Sequence, residues 1–481
     1  MKILFVSAEV APFAKVGGLA DVAGSLPKVL KTLGHDVRIL MPAYKMVLDD
    51  ERWSVHQRIA RFELEIGDFD GVEAELATTS LDEVPVWLIG ARGHFDKCGT
   101  SEQIYNVGVE SYLFWTAAGL TACENQRWIP DIIHCNDWQS GFFPVLQRED
   151  TQFAKWQCAS VFTIHNLAYQ GEFGAEVLPK LDLPTSLFDA EHVESFGRVN
   201  FLKAGCSYAH QSNTVSPQYA MEVQTPEFGC RQWGLMQFLA SQGRFRGILN
   251  GIDTGFFDPS SDSFIETHYS ASHPLGKSQC KAALLKELEL AEIKEAPLVG
   301  VVSRLSDQKG FDLILEGIHE VLDFPCQIVV LGTGDPAAAV ALRKLVSQRP
   351  TRARFIERFD APLAQRIYSG SDMFLMPSAF EPCGLGQLIA LRYGTIPVVR
   401  SVGGLADTIF EGTNGFTFLD KSANSMTMAL RRAFDAYSDK PRWAALVGSA
   451  LSGDYGWEKS AGEYVKMYSE ALAQVTTGIA Q

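Results

Sequence analysis

No apolar run in this 481-residue chain reaches the length of a membrane span, which argues against an α-helical membrane protein. Metal-finger spacing and C-x-x-C pairs are missing among its nine cysteines. An odd, unpatterned cysteine count fits reduced thiols and a cytoplasmic protein. Positive charge is in deficit. Lys and Arg number 42 against 57 Asp and Glu, a net −15 that argues against nucleic acid and membrane surfaces as bulk partners. A neutral polymer stays open as a partner, and an anionic ligand would need a few locally placed cations. Low-complexity tracts are absent. So is a G-x-G-x-x-G fingerprint at the chain start, which argues against an NAD-dependent oxidoreductase.

What is present is a length too great for one hydrophobic core, so two domains are expected. Met1-Lys2 and the apolar run Ile3–Val6 have the look of a signal peptide, but Glu9 and Lys15 interrupt it. The run reads instead as a first strand. Strand-like runs then alternate with helix-like stretches, the pattern of an α/β protein with parallel sheets. They include Val37–Leu40, Val86–Ile89, Ile132–His134, Val161–Ile164, Leu298–Val302, Ile328–Leu331 and Met373–Met376. Residues 51–80 alternate more loosely, as a hairpin insertion would. The expected division is 1–245 and 246–456. Residues 457–481 form a C-terminal helix that could pack back on the N-terminal domain.

The most informative segment is Lys15-Val16-Gly17-Gly18-Leu19-Ala20-Asp21. It follows the first strand and precedes a stretch with Val22, Leu26, Val29, Leu30 and Leu33 at helical spacing. Two glycines, a helix N-terminus and a lysine together make a phosphate cradle, although a plain turn would look the same. Val402–Asp407 repeats Val16–Asp21 letter for letter after the run Ile396–Val399, which suggests two similar nucleotide-binding halves.

Three further segments fall at the ends of strand-like runs. His165 ends Val161–Ile164 and is open to either a structural or a chemical role. Arg304 and Lys309 follow Leu298–Val302, where a planar fork and a point charge could hold phosphate. Glu381-Pro382-Cys383-Gly384-Leu385 follows Met373–Met376 and sets a carboxylate beside a glycine-rich helix start. Asp68-Phe69-Asp70 matches a metal-binding D-x-D pattern but lies in the hairpin region, so no metal or other cofactor is expected.

These motifs together closely resemble those of bacterial glycogen synthases and plant starch synthases, which use ADP-glucose. The matches are KVGGLADV at 15–22, TIHNLAYQG at 163–171, TPEFG at 225–229, LNGID at 249–253, SRL-x-x-QKG at 303–310, LGTGDP at 331–336 and EPCGL at 381–385. RFDAPLA at 358–364 is similar to the cyanobacterial and plastid type. The resemblance covers nearly the whole chain. It implies the GT-B fold, with the active site in a cleft between two Rossmann-like domains. It implies transfer of glucose from ADP-glucose to the non-reducing end of an α-1,4-glucan, with retention of configuration. A cytosolic enzyme is implied, or a plastid one if a transit peptide is missing. By residue, it implies that Lys15, Gly17, Gly18 and Asp21 form the loop near the diphosphate. Asp137 and Asn250 would line the sugar pocket, and His165 would lie beside the reacting carbon. Arg304 and Lys309 would grip the leaving diphosphate, and Glu381 would hold sugar hydroxyls. Gly384 and Leu385 would offer N–H groups to phosphate. Cys383 is a packing residue or substrate contact, and Phe359 could stack on adenine. The chain departs from the commoner pattern at Gly386, Ala379 and Asn136, where Thr, Arg and His are usual. The alternatives are a GT-B transferase with another donor, such as UDP-glucose, and a non-catalytic glucan-binding paralogue.

Overall fold

The computed structural model describes residues 1–53 and 56–476. Its contacts divide the chain into two compact units, Met1–Asn250 with the chain from Trp457 onward, and Gly251–Gly456.

The first unit contains β1 (Lys2–Val6), β2 (Asp36–Pro42), β3 (His56–Glu63), β4 (Glu73–Leu81), β5 (Val84–Gly90), β6 (Ile132–Asn136), β7 (Ala159–Ile164), β8 (Glu172–Phe173), β9 (Glu194–Ser195), β10 (Arg198–Asn200), β11 (Gln211–Thr214) and β12 (Phe245–Gly247). Nine of these form one sheet in the order β12-β11-β7-β6-β1-β2-β5-β4-β3. The seven from β12 to β5 are parallel. Helices cover such a sheet on both faces, so its central strands read as unbroken apolar runs. β3 and β4 are the expected hairpin, but β4 pairs antiparallel with β5 and so extends the main sheet. Residues 54–55 of that region lie outside the described ones. β8, β10 and β9 make a separate small antiparallel sheet.

The second unit is simpler. β13 (Leu298–Val302), β14 (Gln327–Leu331), β15 (Ala353–Ile356), β16 (Met373–Met376), β17 (Ile396–Arg400) and β18 (Phe416–Phe418) form a wholly parallel sheet. Its order is β15-β14-β13-β16-β17-β18. Counted along the chain this is 3-2-1-4-5-6, the doubly wound order. The parallel strands of the first unit run outward from β1 in the same way. Each sheet therefore reverses direction once, between β1 and β6 and between β13 and β16. Open α/β sheets bind ligands outside the carboxyl ends of the strands at that reversal.

Three sequence expectations need correcting. The helix after the first glycine loop is not continuous. It splits into Gly18–Ala23 and Leu26–Thr32, and Leu33 is 51% exposed. A side chain at Gly24 would meet the Ala11 carbonyl at 2.6 Å, so the break is a close approach of backbone to backbone. The boundary expected at 245/246 falls after Asn250, because β12 pairs with β11 in the first sheet. The VGGLAD repeat is not a structural repeat. Its first copy follows β1, at the centre of its sheet, whereas the second follows β17, the fifth strand of its unit. A Cβ at Gly17 would meet nothing within 4 Å. In the second copy, Gly404, the counterpart of Gly18, sits where a Cβ would lie 2.2 Å from the Cys383 carbonyl oxygen. The second copy uses its glycines to pack against the Glu381–Cys383 loop, and Gly404 N–H donates to Glu381 O at 3.1 Å.

The C-terminal helix, Glu458–Thr476, belongs to the first unit. Tyr464, Met467, Tyr468 and Ala471 are buried in that unit's core. Residues 477–481 lie outside the described ones. No described helix is long and apolar enough to cross a membrane.

Candidate active site

In the first unit the site residues collect where β1, β6 and β7 end. Glu9, just past β1, is buried. Its Oε2 accepts from the N–H groups of Val16 at 2.6 Å and Gly17 at 2.8 Å. Tyr105 donates its hydroxyl to Oε1. The glycine loop thus presents its amides to a carboxylate of the chain itself. Lys15 Nζ donates to Asp21 Oδ1 at 2.6 Å in a half-exposed pair, a kind that stabilises little. Gly18 opens the short helix and is exposed.

Asp137 follows β6 with φ 56° and ψ 175°, an uncommon conformation for a residue with a side chain. Its Oδ1 accepts the His165 backbone N–H at 2.7 Å. Burial pushes its carboxyl up to about 7, against the pull of the His165 and Asn166 amides and with the Glu9 carboxylate adding to the rise. His165, at the end of β7, is buried, and burial pushes its imidazole down to about 3. The ring is neutral at physiological pH. Its Nε2 lies 2.9 Å from Asn136 Oδ1. Asn250 is also buried, and its Oδ1 has no protein partner among the described residues.

In the second unit the ends of β13 and β16 meet through backbone. Ala379 N–H donates to Gln308 O at 2.8 Å. Gly310, at φ 72°, has the Pro377 carbonyl oxygen only 2.1 Å from where a Cβ would sit, so only glycine fits. This brings Lys309 Nζ to 2.6 Å from Glu381 Oε2, which also accepts the Ser378 hydroxyl at 2.9 Å. Glu381 is 4% exposed, a buried carboxylate with a cation and a hydroxyl as partners. Arg304 is exposed, and among the described residues nothing pairs with its guanidinium. Gly384, at φ 73°, precedes Leu385 and the helix Gly386–Arg392. Gln387 Nε2 donates to Gly384 O at 2.9 Å and Cys383 O at 3.1 Å, holding the turn. Cys383 is buried. Phe359, beyond β15 at the sheet edge, is 78% exposed.

The structure therefore gathers Asp137 and His165 in one unit and Lys309 and Glu381 in the other. Phe359 follows β15, the edge strand of its sheet, two strands from β13. Sequence reasoning missed Glu9 and Ser378. An acid just past the first strand was a usable signal for Glu9, whereas nothing in the sequence marks Ser378. Asp68 pairs with Lys180 at 3.3 Å, and the described residues hold no group of three or more metal-ligating side chains.

Two family models match the chain, the starch synthase catalytic domain over residues 2–239 and glycosyl transferases group 1 over residues 296–436. A glycogen synthase of Desulforudis audaxviator is 42% identical, covering 99% of this chain and 97% of the relative. One from Marinobacter nauticus is 41% identical over 98% of each. The chain belongs to the glycogen and starch synthase family. Among solved structures, the catalytic domain of starch synthase IV from Arabidopsis thaliana, bound to ADP and acarbose, superposes with a TM-score of 0.91 at 34% identity, over 98% of this chain and 99% of that one. A sucrose-phosphate synthase from Thermosynechococcus elongatus shares the fold, with a TM-score of 0.62 at 17% identity, over 98% and 99% of the two chains.

Membership makes the chain a glycosyltransferase of the GT-B fold, one that uses a nucleotide-sugar donor and a glucan acceptor. The departures from the commoner family pattern have local structural settings. A side chain at Gly386 would come within 3.1 Å of the Phe374 ring and 3.4 Å of the Tyr368 hydroxyl, so Thr there would crowd this core. At Ala379, where Arg is usual, Arg400 reaches across from the end of β17 and donates to the Ala379 carbonyl at 2.6 Å.

Proposed function

We propose that this enzyme transfers glucose from ADP-glucose to the non-reducing end of an α-1,4-glucan, with retention at the anomeric carbon and without a metal ion. The observation that carries the reading is the set at the ends of β13 and β16. The Arg304 guanidinium, unpaired among the described residues, the half-buried Lys309 beside the buried Glu381, and the N–H groups of Gly384 and Leu385 make a set suited to an anion in an acidic protein. The ADP bound in the starch synthase IV structure supports the choice of donor.

In this reading the bond from the anomeric carbon to the diphosphate breaks, and a bond to the acceptor hydroxyl forms on the same face. The acceptor's proton passes to the departing phosphate. Arg304, Lys309 and the two amides stabilise the growing charge, each worth roughly 3–4 kcal/mol in such sites. Glu381 holds sugar hydroxyls while orienting Lys309. Asp137, His165 and Asn250 line the glucose side. Lys15 adds charge near the diphosphate. Its neighbours Val16 and Gly17 serve phosphate only if Glu9 yields their amides. The nine free cysteines support a reducing, cytosolic setting.

Incorporation of radiolabel from ADP-glucose into glycogen, with UDP-glucose in parallel, tests the donor. Equal or faster incorporation from UDP-glucose would overturn it. Full activity should persist in excess chelator after the enzyme is stripped of metals. A loss restored by magnesium or manganese would overturn the metal-free reading.

A further inference from the structure

The hydrogen bonds around Asn136 determine which nitrogen of His165 carries the proton. Asn136, the last residue of β6, is fully buried. Its Nδ2 lies 3.0 Å from the Val6 carbonyl at the end of β1 and 3.4 Å from the His134 carbonyl. A carbonyl oxygen only accepts, so the amide nitrogen must face these two groups, and the amide cannot flip. That leaves Oδ1, a pure acceptor, 2.9 Å from His165 Nε2. Nε2 must therefore carry the hydrogen. In a neutral imidazole the other nitrogen is then bare. Burial keeps the ring neutral.

We infer that Asn136 is a positioning residue for His165. It locks the Nε2–H tautomer and so presents Nδ1 as a hydrogen-bond acceptor, for a hydroxyl-donating ligand rather than an anion. This rests on the reading of His165 as a residue of the glucose side. A sugar hydroxyl meets such an acceptor well, whereas a phosphate oxygen would be repelled by the lone pair. The locking group belongs to this chain's own sequence, since it stands where His is usual. An imidazole there could itself switch tautomer, and an amide anchored on two carbonyls cannot. The charged and titratable groups facing His165 are Asp137, which accepts its backbone N–H, with Glu9 beyond it, and His134 on β6.

Two measurements on the full chain test this. In the first, nitrogen–proton correlation spectra of the histidine-labelled protein, with His165→Gln to assign the signal, should show His165 protonated on Nε2 and bare on Nδ1. A bare Nε2 would overturn the inference whether or not the enzyme uses ADP-glucose. The second compares Asn136→Asp with Asn136→Leu. The aspartate keeps the acceptor but adds charge, so the imidazole pKa rises, and kcat should acquire a second acid limb, below the one that Asp137 gives both enzymes near pH 7. The leucine removes the acceptor, and kcat should fall roughly 10- to 100-fold, as when other orienting partners are lost, with KM for the glucan nearly unchanged. An unaltered kcat in a folded leucine variant, or an aspartate variant with the parent pH profile, would overturn it. If the leucine variant fails to fold, the spectra decide alone.

Discussion

Arg304 and Lys309 carry like charges on one loop, yet the structure separates what their loss should do. Arg304 has no partner among the described residues, so Arg304→Ala should leave Tm unchanged while lowering kcat about 10²- to 10³-fold. Lys309 is paired with the buried Glu381. Lys309→Ala should therefore lower kcat and also stability, toward the roughly 3–5 kcal/mol of a broken buried pair. Equal melting temperatures for the two variants would contradict this. Asp137 has a pH signature. Its carboxyl titrates near 7 in the fold and near 3.9 in the unfolded chain. Between those values only the folded state holds the proton, so this group's contribution to stability falls as pH rises from about 4 to 7. The buried His134 and His165 have the opposite sign. Both are held down to about 3, so their contribution is lost as pH falls below about 6.5. Asp137→Asn removes only the first effect. The Tm of that variant relative to the parent should climb between pH 5 and 7 and then level off. A constant difference across that range would refute the assignment.

The C-terminal helix is tied to the sheet by a directed chain of hydrogen bonds. Thr163 donates to Asn213 Oδ1 at 2.6 Å, so its oxygen accepts from His134 Nε2 at 2.7 Å. His134 Nδ1 then accepts the Tyr468 hydroxyl at 2.7 Å, and Asn213 Nδ2 donates to the Tyr464 hydroxyl at 3.1 Å. Tyr468→Phe leaves a fully buried imidazole nitrogen without its partner, a cost of about 1–3 kcal/mol. Thermal melting should show a drop of several degrees, and an unchanged Tm would show that the bond contributes nothing. The turn before the helix Gly386–Arg392 is equally exacting. Gly384→Ala would force a Cβ to 2.5 Å from Gln387 Oε1 at a positive φ. It should cost roughly 1–3 kcal/mol and reduce turnover by displacing the Gly384 and Leu385 amides.

The two units differ in how the chain closes them. Gly251–Gly456 is continuous, with its own six-stranded sheet and core. Expressed alone it should melt cooperatively but transfer no glucose, because His165 and Asp137 are not on it. Met1–Asn250 lacks Trp457, Tyr464, Met467 and Tyr468, all buried in its core. It should be unstable alone and regain a cooperative melt when co-expressed with residues 457–481. A stable fragment 1–250 without that segment would show that the helix is dispensable.

Much of this was legible in the chain because buried parallel strands must be apolar on both faces, and β1, β2, β5, β6, β7, β13, β14 and β16 are such runs. β11, Gln211–Thr214, was not legible. It is buried yet wholly polar, and Asn213 at its centre finds its side-chain partners Thr163 and Tyr464 far away in sequence. The motif residues at strand ends were also visible, because a lysine, an arginine or a glycine pair after a strand carries its chemistry locally. Tertiary structure alone decided how those groups are used. One VGGLAD copy has a carboxylate on its amides, while the other packs against Cys383. Lys309 meets Glu381 across 72 residues of chain, and Asn136 reaches His165 from the neighbouring strand. Sequence by itself determined the apolar parallel strands, the family and the candidate groups. Pairing, burial and proton placement depend on distances between strands that adjacency in the chain does not encode.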